Sequence, residues 1–479
     1  MPLNRQIYLL DPHDLTPETI AVTFAKTSRS PQSFQEIADD LTDDQSAKFH
    51  EKWVVGYGHS SVAEHAILHI AVENVSRLAV ECLESNRLAS YTEKSTRYQK
   101  WDEDSFYIPE ELDTQPILKE KYIRTNKILF QTYLKSLPII RTEIAKSNPQ
   151  KPEESEAAWD RRIRSDYIDV SRFLLPASSL ANVGVTINAR ALEHAIQKML
   201  SHPLLEVQKM GKEIKTVSQE NVPTLVKYAD AIPHWMNVAN FFEKTSREIN
   251  PISDNTDWCN LVHYDKHAHM VVLASLLVRY GNNTFEEAIN YLEQLNLNEV
   301  DQLAKQLISE IRQFDIPVRE LEYAPFVFEL LMDQGAYFEI KRHRMMTQTP
   351  QPISTLNGYA VPQCVVDAGF ADDYHMAMEL ANTTYLEIAD WNPKVAGYVV
   401  PNAYNRRVIV NANLRSLNHL INLRSAQNAH FSVRRVAQRM AEEIGHVNPI
   451  FNHWIRRNSE ETWQSIEQNY FSEVARKLN

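Results

Sequence analysis

The chain has 479 residues, a net charge of −12, and 43% hydrophobic and 23% charged side chains. That composition suits a globular protein of about two to four domains, and its acidic balance argues against non-specific nucleic-acid binding, which needs a basic face. It leaves room for a small anion held by a few local arginines. With only 10 glycines, neither a P-loop nor a Gly-rich dinucleotide fingerprint is found. The three cysteines, Cys82, Cys259 and Cys364, form no C-x-x-C pair and no disulfide framework, which fits a reducing compartment. The N-terminal stretch turns acidic too early for a signal peptide. The longest apolar run, MVVLASLLV at 270–278, is far below the roughly 20 residues of a membrane helix. A cytoplasmic protein with no membrane or nucleic-acid partner is expected.

In chain order, GYGHSSVAEH (56–65) precedes AILHIAVENVSRLAVECLESNR (66–87). The alternating apolar start of the second segment predicts a strand, and Val75, Leu78, Ala79 and Leu83 predict a helix after it. NRLASYTEKSTRYQ (86–99) then sets Glu93, Ser95 and Arg97 in alternation. In an extended segment these three side chains share a face. A hydroxyl beside a guanidinium suits a nucleotide phosphate. A carboxylate there would repel the phosphate, so Glu93 would accept from a ribose hydroxyl or a base N–H. For such a run taken alone, a solvated loop with an incidental ion pair is the plainer reading. The charged stretch SNPQKPEESEAAWDRRIRSDY (147–167) reads as a solvent-exposed helix-loop excursion. RFLLPAS then brings Pro176, and TINARALEHAI (186–196) carries N-x-R-x-L-x-H at Asn188, Arg190, Leu192 and His194.

SREINPISDNTDW (246–258) is rich in Ser, Asn, Asp and Pro and reads as a junction. In HYDKHAH, His263 and His267 are spaced i, i+4 and could share a helix face and a metal, with His269 beside them; polar surface is the plainer reading, and no metal is assigned. PFVFELLMDQGAYFEIKRHR (325–344) repeats the strand-then-helix pattern of 66–87. It ends in Lys341, Arg342, His343 and Arg344. Cations there suit either the negative end of a helix dipole or a phosphate-rich cofactor. Where the first half has Glu93, Ser95 and Arg97, the register gives Pro350, Pro352 and Ser354. VNANLRSLNHLI (410–421) repeats N-x-R-x-L-x-H at Asn413, Arg415, Leu417 and His419, 225 residues after the first copy. The same shift carries Pro176 onto Pro401. The chain therefore reads as a tandem duplication, with domains at 1–250 and 251–479. The expected fold is α+β: two related domains, each a small, mostly antiparallel sheet flanked by helices.

These motifs, in this order, resemble flavin-dependent thymidylate synthases. SNRLASYTEKSTRY is similar to the family's S-x-N-E-x-S-x-R-Y-like run, RHRMMTQ to its R-H-R motif, and GYGHSSVAEH to its G-H-x-[ST]-x-x-E-H stretch. INAR and LNHLINLR are similar to its N-A-R-S-L-x-x-x-L-x-L-R helix. The resemblance spans most of both halves, apart from the charged insert and the junction. It implies that deoxyuridine monophosphate (dUMP) is bound by Glu93, Ser95, Arg97, Arg172 and Arg342. It makes Arg424 the catalytic residue, stabilising negative charge on the pyrimidine ring. It implies FAD as cofactor, held by Arg342, His343 and Arg344, with His59, Ser61, Glu64, Asn413 and Arg415 in the cofactor and folate region. NADPH and methylenetetrahydrofolate follow as co-substrates.

Each half lacks what the other keeps. The family arginine ahead of the motif proline survives as Arg172, where the second half has Gly397; the arginine ending L-x-L-R survives as Arg424, where the first half has Met199. One composite site is expected, and a homodimer of tandem chains would resemble the family's tetramer. Such a route needs no cysteine nucleophile, and none of the three cysteines has an activating neighbour in sequence. Two other readings stand beside this one: flavin-dependent one-carbon transfer to another pyrimidine nucleotide, and a non-catalytic nucleotide-binding relative. The first is permitted by Thr92, Lys94 and Glu339, where the family pattern commonly differs.

Overall fold

The computed structural model describes residues 6–56, 60–97, 99–249, 257–312 and 315–477. The chain forms two compact units. One comprises Met1–Lys94, Phe106–Pro116 and Ser178–Ile252; the other comprises Ser95–Ser105, Ile117–Ala177 and Ser253–Asn479.

The first unit is built on an antiparallel sheet of β1 (Ile67–Ser76), β2 (Ala89–Glu93) and β3 (Leu180–Asn188), in the order β1-β3-β2. Ala181, Val183, Val185 and Ile187 of β3 are buried in alternation, the period of a strand with one face in the core. Helix Arg77–Glu84 follows β1 directly, and its first turn is closed by the Ser76 hydroxyl, which accepts from the Ala79 N–H. Helix Ala189–Leu200 follows β3 in the same way, with Asn188 as its N-cap. An N-cap side chain satisfies an amide that the helix leaves without a partner.

The second unit repeats this design. Its main sheet contains β4 (Cys259–Tyr264), β5 (Pro325–Asp333), β6 (Thr347–Pro350) and β8 (Asn405–Asn413), in the order β4-β5-β8-β6; β7 (Tyr359–Pro362) pairs with β9 (Phe471–Arg476). β5 and β8 set Phe326, Phe328 and Leu330 opposite Ala412, Val410 and Val408, all buried. Removing these side chains from water is the main stabilising term of this core. Helix Gln334–Ile340 follows β5 and is capped by Asp333; helix Leu414–Arg424 follows β8 and is capped by Asn413. The α+β class and the antiparallel sheets expected from the sequence are present in both units.

The compact units do not follow the linear halves. The second unit also takes Ser95–Ser105 and most of the helices Pro116–Ser147 and Glu156–Ser171 from the first half of the sequence. Within it the two proline motifs face each other: Pro176 bridges Pro401, and the Asn402 N–H donates to the Leu175 carbonyl at 3.0 Å. Helix Pro116–Ser147 lies against helix Ala371–Trp391, with buried hydroxyls of Thr125 and Thr384 2.7 Å apart.

Two expectations are corrected here. The charged insert is not wholly solvated: helix Glu156–Ser171 buries Ile163 and Tyr167, because its apolar residues recur at helical spacing. His263 lies on β4 and His267 precedes the helix Ala268–Tyr280. They therefore share no helix face, since the chain changes element between them.

Candidate active site

The site is assembled inside the second unit from both halves of the sequence. β2 ends at Glu93, and the chain then turns at Thr96 and Arg97, where the Ser95 hydroxyl accepts the Arg97 N–H at 3.2 Å. Glu93 stays in the first unit, ion-paired with Arg77 at 3.0 Å, with side-chain exposures of 3% and 2%. The common face expected for Glu93, Ser95 and Arg97 is thus corrected, because side-chain alternation persists only while the backbone stays extended.

Arg97 is gripped by Asp169. Its Nε donates to both carboxylate oxygens at 2.9 and 3.1 Å, and its Nη2 to Oδ2 at 2.7 Å. Its Nη1 donates to the Asn428 carbonyl at 3.0 Å. Arg172 follows helix Glu156–Ser171 and is buried. Its Nη1 donates to the Thr96 hydroxyl at 3.1 Å, and its Nε lies 3.6 Å from Asp169.

The second repeat supplies the rest. Arg424 is the last residue of helix Leu414–Arg424. Its Nη1 donates to Glu339 at 2.7 Å, and its Nε donates to His343 Nε2 at 3.0 Å. A guanidinium only donates, so the His343 ring accepts at Nε2 and carries its proton on Nδ1. Burial, followed by the charge of Arg424, pushes the His343 pKa down to about 3, which keeps the ring neutral. Burial also pushes Glu339 upward, but Arg342, Arg172, Arg424 and Arg97 outweigh it and hold this carboxyl below its ordinary range. Two arginines from each sequence half therefore act on one buried carboxylate. Such a cluster can bind an anion and stabilise developing negative charge.

The remaining sequence candidates fall as follows. Arg342 is exposed and Arg344 half-buried, in the turn after helix Gln334–Ile340. Ser61 is exposed in the 3-10 turn Ser60–His65. Glu64, in the same turn, is paired with Arg190. Arg415 is paired with Glu322 at 2.8 Å and donates to the Pro317 carbonyl. These two Glu–Arg pairs occupy corresponding places in the two repeats. Each ties the turn before β1 or β5 to the start of a later helix. Asn413 caps its helix by accepting the Ser416 N–H at 2.9 Å. His59 lies outside the described residues. Asp169 and the Asn428–His430 segment were absent from the sequence candidates. The spacing of Asp169, three residues before Arg172 near a helix end, is the signal that would have found it.

The family match agrees with the tandem repeat. The profile of the thymidylate synthase complementing protein family matches residues 10–224 and again 260–450. A UPF0159 protein of Chlamydia pneumoniae is 31% identical over 87% of this chain and 82% of its own length. A flavin-dependent thymidylate synthase of Clostridium tetani is 26% identical over 44% of this chain and 82% of its own. A solved flavin-dependent thymidylate synthase of Helicobacter pylori, complexed with FAD and dUMP, matches 42% of this chain and 100% of its own at 18% identity and a TM-score of 0.30.

Two copies of one sheet-and-helix module, matched twice by one family profile, define a tandem-duplicated chain. The chain belongs to the thymidylate synthase complementing protein family, that of the flavin-dependent thymidylate synthases.

Proposed function

We propose that the chain is a flavin-dependent thymidylate synthase with one composite active site. It converts dUMP, methylenetetrahydrofolate, NADPH and a proton to dTMP, tetrahydrofolate and NADP+. The observation that carries this reading is one compact unit that holds Arg97 and Arg172 beside Asp169 and Arg424 on Glu339, with the charges of Arg342, Arg172, Arg424 and Arg97 holding the Glu339 carboxyl down, since each repeat alone retains only part of that set.

In this reading Ser95, Arg97 and Arg172 receive the phosphate through charge-assisted hydrogen bonds. Arg424, oriented by Glu339 and His343, faces the pyrimidine and stabilises negative charge there, which raises the nucleophilicity of C5. Arg342 and Arg344, two cations two residues apart after a helix end, suit the diphosphate of FAD. When bound, FAD supplies the carrier chemistry for hydride and the one-carbon unit. The neutral His343 adds no charge to that region.

The test is incubation of the FAD-supplemented chain with dUMP, methylenetetrahydrofolate and NADPH, with product analysis. Formation of dTMP is the expected result. FAD binding with a methylated nucleotide other than dTMP would favour another pyrimidine substrate, a reading that the acceptor-only Glu339 carboxylate also accommodates. A chain that binds neither FAD nor nucleotide would overturn the proposal.

A further inference from the structure

Asp169 lies two residues past the charged insert, near the end of helix Glu156–Ser171, and is 4% exposed. Both its carboxylate oxygens accept from the Nε–Nη2 edge of Arg97. Its backbone is held as well: the His430 ring meets the Asp169 carbonyl at 3.2 Å through Nε2. His430 Nδ1 accepts the Ser432 N–H at 3.1 Å, so Nε2 carries the proton and donates to that carbonyl. Burial, with Arg172 and Arg97 nearby, draws the His430 pKa well below its ordinary value, so the ring is neutral and its hydrogen bonds fix the tautomer. Two residues before His430, the Asn428 carbonyl accepts from Arg97 Nη1. The guanidinium is thereby fixed in plane by a carboxylate from the first repeat and a carbonyl from the second.

We propose that Asp169 is the positioning residue for Arg97, holding its guanidinium in the orientation that receives a nucleotide phosphate. An arginine side chain loses considerable rotamer entropy when ordered, and a bidentate carboxylate incurs that cost before the ligand arrives. His430 and the Asn428 carbonyl complete the support. The proposal rests on the reading of Arg97 as a phosphate ligand. It goes beyond that reading by assigning the part of the molecule that prepares the arginine.

The experiment is calorimetric titration of the full chain with dUMP and with deoxyuridine, which lacks the phosphate. The chains compared are wild type, Arg97→Ala, Asp169→Asn and Asp169→Glu, with thermal unfolding checked for each. The expected result for Asp169→Asn is a weakening of dUMP binding by roughly ten- to a hundredfold, by analogy with the loss of a partner that orients a metal ligand. Deoxyuridine affinity should be unchanged, and Asp169→Glu should recover part of the loss. Equal weakening toward both ligands would mean a merely structural role and would overturn the proposal. So would tighter dUMP binding, which would make the carboxylate a competitor of the phosphate. If Arg97→Ala loses dUMP while Asp169→Asn binds it normally, this inference fails and the functional reading stands. If the wild type ignores dUMP, or Arg97→Ala binds it normally, both fail.

Discussion

Two of the three nitrogens of Arg424 are engaged, Nε by His343 and Nη1 by Glu339. Arg424→Lys keeps the charge but gives up this fork. The expected outcome is a fall in kcat for dTMP formation of about a hundredfold or more, the scale for losing one electrostatic stabiliser, with little change in dUMP affinity. Steady-state kinetics and calorimetry on the same variant check it. His343 makes a separate prediction for stability. Its folded pKa of about 3 lies below the ordinary 6.5, so between those values the unfolded chain binds a proton that the folded ring refuses. Its contribution therefore declines as the solution is acidified from pH 6.5 toward 3. His343→Asn retains an acceptor and cannot titrate. Denaturant unfolding at pH 7 and pH 5 should show a smaller loss of stability in the variant than in the wild type. A loss equal to that of the wild type would contradict this assignment.

At the scale of elements, the two modules solve one capping problem with the chemistry reversed. At the end of β1, Ser76 caps helix Arg77–Glu84, and both its N–H and its hydroxyl donate to Glu206, at 2.7 and 2.6 Å. At the end of β5, Asp333 caps helix Gln334–Ile340 and accepts from the Ser432 hydroxyl. Glu206 and Ser432 are each the second residue of the helices Leu205–Ser218 and Phe431–Val447. The hydroxyl–carboxylate pair is kept while its partners trade places. Ser76→Ala would remove the cap and a partner of a buried carboxylate, so a loss of about 1–3 kcal/mol is expected in urea unfolding of the full chain. The exchange Ser76→Asp with Glu206→Ser should recover part of it. The paired Glu64–Arg190 and Glu322–Arg415 are more exposed, with side-chain exposures of 33% to 48%. Breaking Glu322–Arg415 with Arg415→Ala should cost no more than about 1 kcal/mol.

At the scale of the whole molecule, the proposed function requires one active site per duplicated chain. Near one FAD per chain is the expected stoichiometry from visible absorbance after cofactor loading; near two would show that the second set of motifs also binds. Arg97 and Arg424 belong to one compact unit of a single chain. A mixture of Arg97→Ala and Arg424→Ala proteins should therefore not regain dTMP formation. Recovery would mean that the working site forms between chains.

Much of this design was legible in the amino-acid order. The 225-residue offset between the Asn188 and Asn413 motifs coincides with the capped helix starts after β3 and β8. Hydrophobic alternation also marked β1 and β5, because periodicity follows directly from the geometry of a strand. The division of arginines between the halves was readable for the same local reason, since it needs only residue types at matching positions. The tertiary structure decided what each arginine faces. Asp169 lies just past the charged insert and belongs to no motif, and only the packing of its helix buries it against Arg97. Glu93 reads as a neighbour of Ser95 and Arg97, and only the turn after β2 gives it to Arg77 instead. Local pattern determines elements and repeats, whereas ion pairing depends on long-range contacts that place distant charges together, and one-dimensional spacing does not encode those distances.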